Sequence, residues 1–95
     1  MKDYFYVNPS MMVEYCRELS GSEFKVLLGM MYCMSETNSS VFINCTESRQ
    51  TLASLGYEKT PERISAVLSS LVKKGIIYRK AQGVFTLPEN LFKLP

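Results

Sequence analysis

Histidine is absent from the 95 residues of this chain. Because histidine is the commonest general base and a frequent zinc ligand, its absence excludes the usual catalytic triads and most zinc sites. The five glycines do not cluster into a phosphate-binding loop, and no paired-carboxylate motif is present. We therefore predict a protein that is not an enzyme and that binds neither metal nor cofactor. An enzyme that recruits such a group by other means is kept as an alternative.

Cysteine is scarce, and long apolar runs are missing. The three cysteines, Cys16, Cys33 and Cys45, are odd in number and form no CxxC pair. This pattern is typical of reduced thiols in a cytoplasmic protein, where we expect them to serve as small buried apolar groups. No run reaches the length of a membrane span, and no leader resembles a signal peptide. These features predict a cytoplasmic protein with no membrane partner and no small-molecule substrate.

The composition, 46% hydrophobic and 21% charged, is that of one small globular domain spanning residues 1–95. The net charge is only +2, but its distribution is uneven. Residues 1–45 carry three basic and five acidic side chains, whereas residues 46–95 carry eight basic and four acidic ones. A positive second half is expected if phosphates are bound there. A charged surface with no role in nucleic-acid binding is the alternative.

The first third of the chain predicts an N-terminal extension, residues 1–19, followed by a central helix. Lys2–Val7 is aromatic and β-branched, which favours a short strand, and Asn8–Leu19 opens with the Asn-Pro signal of a helix start. Ser20 and Glu23 match a capping box before a second helix, Gly21–Met34. This helix is apolar on two sides. Either the first helix covers one side and the later helices cover the other, or a homodimer forms through helix 21–34 or through the termini.

A strand and a third helix are predicted next. Val41–Cys45 has the β-branched and aromatic character of a short strand. Thr46 is a candidate N-cap for the helix Glu47–Leu55, in which we expect Leu52 and Leu55 to face the core. A short glycine-containing turn then leads into the next helix.

The fourth helix, Pro61–Lys74, has Thr60 as its candidate N-cap and Gly75 just beyond its end. Apolar residues at the three-and-four spacing of one buried face are Ile64, Val67, Leu68, Leu71 and Val72. The opposite face is small and polar, and it carries Glu62, Ser65, Ala66, Ser69, Ser70 and Lys73, with Arg63 on its flank. Small side chains let a helix lie close to a partner, so this face predicts a contact surface. A serine-tolerant solvated surface is the alternative.

Two β runs, Ile76–Lys80 and Val84–Leu87, follow across a short loop and predict a hairpin. With Val41–Cys45 they would form a three-stranded antiparallel sheet. Helix, strand, helix, helix, hairpin is the order of a winged helix-turn-helix core, here residues 20–87. The fold class is therefore mainly α with a small antiparallel β-sheet (α+β). In the C-terminal tail, residues 88–95, we expect Leu91, Phe92 and Leu94 to return to the core or to meet a partner.

Over roughly residues 19–87 the chain resembles bacterial winged helix-turn-helix DNA-binding proteins. The residues that carry this resemblance are Thr60, Ile64-Ser65, Leu68, Leu71, Lys74-Gly75-Ile76-Ile77 and Arg79. A narrower similarity is to the RepL-like plasmid replication proteins. It rests on Leu19-Ser20-Gly21-Ser22, Val41–Asn44 leading into Leu52-Ala53-Ser54-Leu55-Gly56, Gly83-Val84-Phe85 and Leu87–Phe92. The resemblance implies a DNA-binding protein of a plasmid, phage or mobile element, acting in replication control or transcriptional regulation.

On this hypothesis the partner is double-stranded DNA, and the fourth helix enters its major groove. The base-facing residues would be Glu62, Arg63, Ser65, Ala66 and Ser69. The phosphate-binding residues would be Thr46, Arg49, Lys59, Thr60, Ser70, Lys73, Arg79, Lys80 and Gln82. Arg63 is the best candidate for a contact that discriminates between bases, because serine contacts are permissive. Glu62 could accept a hydrogen bond from cytosine N4.

A second hypothesis is a winged-helix module that binds protein without binding DNA on its own. It could be a subunit of a replication complex or a phage-encoded inhibitor. The low net charge, the Ser/Ala helix face, the six methionines and the apolar tail favour it. The two hypotheses differ in whether the chain binds random duplex DNA or heparin.

Overall fold

The computed structural model describes residues 5–95, which form four helices and two small antiparallel sheets. The elements are β1 (Tyr6–Val7), α1 (Pro9–Glu18), α2 (Gly21–Thr37), β2 (Phe42–Ile43), α3 (Thr46–Ser54), α4 (Pro61–Lys73), β3 (Tyr78–Ala81), β4 (Val84–Thr86) and β5 (Phe92–Lys93). The α+β class is confirmed. Of the predicted strand Lys2–Val7, residues 2–4 lie outside the described residues, and Tyr6–Val7 is β1.

The helix starts follow the local capping rules. The side chain of Asn8 accepts hydrogen bonds from two backbone N–H groups in the first turn of α1, as predicted. The capping box of α2 is complete, since Ser20 and Glu23 each accept from the other's backbone N–H. The helix continues three residues past its predicted end, through Thr37. It stops at Asn38, whose left-handed φ of 50° is one that asparagine tolerates better than most residues.

The second helix forms the centre of the core. Its side chains Val26, Leu27, Met30 and Met31 have no exposed surface, and Met34 is 2% exposed. The fourth and third helices and β2 all pack on it. The chain therefore covers both apolar sides of α2 itself, and these methionines do not form a surface for a second copy. Packing by α3 and α4 agrees with the part of the first alternative that concerns the later helices, and a homodimer through the termini stays a prediction.

Gly29 allows α2 to approach α3 closely. A Cβ at this position would lie 2.6 Å from Leu52 Cδ2 and 3.0 Å from the Tyr57 ring. Gly29→Ala is expected to destabilise the fold by about 1–2 kcal/mol, because overpacking outweighs the gain in helix propensity. Chemical denaturation measures the change. The matched control is Gly21→Ala, where a Cβ has no neighbour within 4 Å and stability should hold or rise slightly. Equal stability of the two variants would contradict the close approach.

The region of β2 and α3 differs from the prediction in three details. The strand has only two residues, and it buries Phe42 while Ile43 is half exposed. Cys45, not Thr46, occupies the N-cap position of α3. Leu52 faces the core as predicted, but the prediction for Leu55 was wrong. The helix ends at Ser54, so Leu55 is its C-cap and is 52% exposed.

The cysteines are less buried than predicted. Cys16 and Cys45 are exposed, and Cys33 is partly buried. Their expected role as buried apolar groups was therefore wrong for two of the three. The Cys33 thiol lies partly inside the protein, and desolvation by burial raises its pKa to about 11, with smaller contributions from Cys45 and Glu36.

After α4, the β3–β4 hairpin pairs with β2 to form a three-stranded antiparallel sheet of order β2-β4-β3, as predicted. Thr60 occupies the N-cap position of α4, but its side chain makes no capping hydrogen bond. Gly75, with a φ of 76°, follows the end of the helix. Phe42 lies opposite Phe85 in the register. The first strand of the hairpin begins at Tyr78, two residues later than predicted. Ile76 and Ile77 are instead buried in the segment that connects α4 to β3.

The C-terminal tail returns to the domain. Leu91 is buried in the core, and its carbonyl accepts the backbone N–H of Asn8 at 2.8 Å. A second, two-stranded sheet joins β1 to β5, with Tyr6 opposite Lys93. The sequence did not predict this sheet. Among residues 5–95, no helix has the length and apolar character needed to cross a lipid bilayer.

Candidate nucleic-acid interface

A groove separates α4 from the β3–β4 hairpin and encloses a volume of about 690 Å³. It is lined by Asn44, Ser65, Ser69, Arg79, Lys80, Ala81, Gln82, Gly83 and Phe85. Five of the predicted site residues meet here: Ser65, Ser69, Arg79, Lys80 and Gln82. Within the described part of the chain, the lining includes two cations and no carboxylate. The groove is therefore positive, and it offers hydrogen-bonding groups from both walls. We call it the α4–hairpin groove.

The outward crest of α4 carries three further predicted residues, Glu62, Ala66 and Lys73, and all three are exposed. Glu62 lies in the first turn, where a carboxylate is favoured by the positive end of the helix dipole. Ser65 and Ser69 lie on the hairpin side of this crest. Lys59 and Thr60 are exposed in the segment that enters the helix.

Arg63 lies on the other flank of α4. Its Nε donates to Glu58 Oε1 at 3.1 Å. Arg63 also lines a separate concavity together with Lys59 and Lys25. Residues two apart on a helix point to nearly opposite sides, so Arg63 and Ser65 cannot share one narrow surface. The predicted base-facing set is therefore divided: Ser65 and Ser69 face the hairpin, and Arg63 faces away from it.

Glu58, which holds Arg63, is buried and anchors the turn before α4. Its Oε1 also accepts the backbone N–H of Lys59 at 2.6 Å. That backbone hydrogen bond lowers the pKa of Glu58, burial acts in the opposite direction, and the charge of Arg63 adds to the lowering. The carboxylate is therefore a structural anion. It was missed in the sequence because it stands in a short turn.

Ser70 is not available to a phosphate as predicted. Its hydroxyl donates to a carboxylate oxygen of Glu23, across to the start of α2. Lys74 Nζ donates to the same carboxylate at 2.7 Å, and the Ser20 N–H donates at 2.8 Å. Burial alone would raise the pKa of Glu23, but the hydrogen bonds from Lys74, Ser70 and Ser20 outweigh it and lower the pKa to about 2. Ser70 therefore joins α4 to α2 and is not part of the candidate interface.

Two predicted phosphate contacts on α3 are connected to the groove by a hydrogen-bonded chain. Arg49 Nη2 donates to Thr46 Oγ1 at 3.4 Å, and its Nη1 donates to Asn44 Oδ1 at 2.9 Å. Asn44 Nδ2 in turn donates to Ser65 Oγ at 3.2 Å. Asn44 was missed in the sequence, where the one signal was an asparagine within an apolar strand, a residue that strands usually lack.

The hairpin wall of the groove is held in place by Arg79 and Phe85. The guanidinium carbon of Arg79 lies 5.4 Å from the centroid of the Phe85 ring, which is cation–π geometry. A register shift between Arg79 and Ala81 leaves Lys80 as the extra residue on its strand. Lys80 and Gln82 are exposed at this irregular point. The wall thus combines a stacked arginine with a lysine and an amide that extend into solvent.

Across residues 5–95, no three Cys, Asp or Glu side chains are grouped in a way that could hold a metal ion. Comparisons with known proteins add no functional assignment. No protein-family model matches the chain, and neither a curated protein nor a solved structure matches it.

Proposed function

We propose that this chain is a winged helix-turn-helix DNA-binding protein of a plasmid, phage or mobile element, acting in replication control or transcriptional regulation. The third helix, its turn and α4 would be the helix-turn-helix, and the β3–β4 hairpin would be the wing. The order of elements and the resemblance to RepL-like replication proteins support this assignment.

The single observation that carries the proposal is the α4–hairpin groove. It places the small hydroxyl side chains of Ser65 and Ser69 beside Arg79 and Lys80. Small residues on an exposed helix face let the helix enter the major groove of DNA, which is about 12 Å wide. The cations on the adjacent hairpin would then meet phosphates of the flanking backbone.

On this model α4 supplies base contacts from its hairpin side, and the surrounding cations set its register. Ser65 and Ser69 would approach base edges, while Arg49 and Lys80 would bind phosphates. Arg63 keeps its salt bridge to Glu58 and remains 58% exposed at the side chain. Its remaining N–H groups are then suited to a phosphate on the opposite flank and not to a base beside Ser65.

The proposal predicts that the protein binds random-sequence duplex DNA with a strong dependence on salt. Each phosphate that a lysine or arginine neutralises contributes about −0.9 to the slope of log K against log salt. With three or four such contacts, affinity should fall roughly 40-fold to 150-fold between about 50 and 200 mM salt. Fluorescence anisotropy with a labelled duplex at the two salt concentrations measures this. Absence of binding at the lower concentration would rule out the proposed function.

A protein-binding function is the second candidate, and a second concavity favours it. This concavity, of about 470 Å³, lies between α2, β2 and α3, and is lined by the apolar side chains of Val41, Phe42 and Ile43. Glu36 and Glu47 also line it, so it would repel phosphate. If protein binding is the function, heparin should not retain the chain near about 0.15 M salt. Retention there, together with duplex binding, would favour DNA.

A further inference from the structure

Asn44 connects α3, α4 and the hairpin through hydrogen bonds, and DNA binding by itself does not explain this arrangement. Its backbone N–H donates to the Gly83 carbonyl at 2.8 Å, which fixes the residue between β2 and the hairpin turn. Its side chain contacts Arg49 on one side and Ser65 on the other. One amide therefore joins an arginine of α3 to a serine that lines the α4–hairpin groove.

The chemistry of the three groups determines the direction of these hydrogen bonds. A guanidinium has only donors, so Asn44 must turn its Oδ1 toward Arg49. The amide –NH₂ then faces Ser65 and donates to Oγ. With that lone pair of Ser65 in use, the hydroxyl hydrogen remains for a different partner. Because Ser65 is exposed and lines the groove, its O–H is available to a group that enters the groove.

We propose that Asn44 is a positioning residue that makes Ser65 a hydrogen-bond donor in the α4–hairpin groove, so that the base edge opposite Ser65 presents an acceptor. This inference rests on the DNA-binding function proposed above. The acceptors in the major groove are purine N7, guanine O6 and thymine O4, whereas cytosine N4 and adenine N6 are donors. The same amide restrains Arg49, which lowers the entropic cost of holding that side chain against a phosphate.

Selection from a pool of randomised duplexes tests the inference with three proteins: the wild type, Ser65→Ala and Asn44→Asp. The aspartate substitution keeps the shape of the side chain but offers only acceptors. Its carboxylate would accept from Arg49 and also from the Ser65 hydroxyl, which would leave only lone pairs of Ser65 facing the groove. Asn44→Asp is therefore expected to reverse the base preference at the contacted position, and Ser65→Ala to abolish it there alone.

In the wild type we expect about a tenfold preference for guanine or thymine, whose major-groove edges present acceptors and no donor, over cytosine at one position of the selected sequence. Asn44→Asp should move this preference to cytosine, whose N4 amino group is a donor. An unchanged preference in Ser65→Ala, whose site is exposed and should tolerate alanine, would overturn the inference while leaving DNA binding intact. Failure of the wild type to enrich any duplex would instead remove both the proposed function and this inference.

Discussion

Glu23→Ala is expected to lower the free energy of unfolding at pH 7 by about 3 kcal/mol. This carboxylate completes the capping box of α2 and also receives Ser70 and Lys74 from α4. The substitution therefore removes a helix cap and the polar link between the two largest helices at once. Chemical denaturation at neutral pH measures the loss.

Two controls separate the buried carboxylate from ordinary surface charge. Glu14→Ala removes an exposed glutamate from α1 and should change stability by less than about 0.5 kcal/mol. Lys74→Met removes the cation but keeps the capping box and Ser70. It should cost less than Glu23→Ala, because Lys74 is 44% exposed and exposed ion pairs contribute little. A loss as small for Glu23→Ala as for Glu14→Ala would show that the carboxylate does not link the helices.

The contribution of Glu23 should also depend on pH in a defined direction. Its pKa is about 2 in the folded protein, against 4.5 for an unperturbed glutamate. A group whose pKa is lowered by folding stabilises the fold above its unfolded pKa, and this stabilisation is lost as pH falls. The difference in stability between the wild type and Glu23→Ala should therefore be constant above about pH 5 and should shrink toward pH 2.

Lys80→Glu is expected to weaken binding to random duplex DNA by about 30-fold at 50 mM salt, equivalent to about 2 kcal/mol. The change would remove one proposed phosphate contact and would place a negative charge on the hairpin wall of the α4–hairpin groove. The salt slope should become shallower by about one. Anisotropy titrations at several salt concentrations give both values.

The matched control is Arg17→Glu, which changes the net charge of the chain by the same amount. Arg17 is exposed in the last turn of α1, and it is not among the residues that line the groove. A local contact predicts a large effect at Lys80 and a small one at Arg17. Equal effects would mean that only net charge matters, and would contradict the proposal that the groove is the interface.

Local signals in the sequence were sufficient to predict most of the helix starts. Asn8, Ser20 with Glu23, and the Thr60-Pro61 step each involve groups within a few positions of one another, so the cap can be read directly. The hairpin was also predicted from a local signal, two β runs separated by a short loop. Strand ends were less accurate because Ile76 and Ile77 have β-character but serve as buried links before β3.

Contacts between residues far apart in the sequence could not be predicted from such local signals. Glu23 was identified as a helix cap, yet its contact with Ser70 joins positions 47 apart and depends on how α4 crosses α2. For the same reason Ser70 was assigned to the DNA-facing surface. Helical spacing also placed Arg63 on the flank without showing that Glu58 would bind it there. Periodicity shows which side of a helix is polar, but not which neighbour occupies that side.

The pairing of β1 with β5 has a consequence for the topology of the whole chain. Because Tyr6 lies opposite Lys93 and Val7 opposite Phe92, the described part of the polypeptide forms a nearly closed ring in which β1 and β5 meet in one ladder. A linker between β1 and β5 could seal this ring, and new termini could be opened at the exposed Asn38 turn after α2. Such a circular permutant would retain α4 and the hairpin as one uninterrupted segment, because the new break lies outside both.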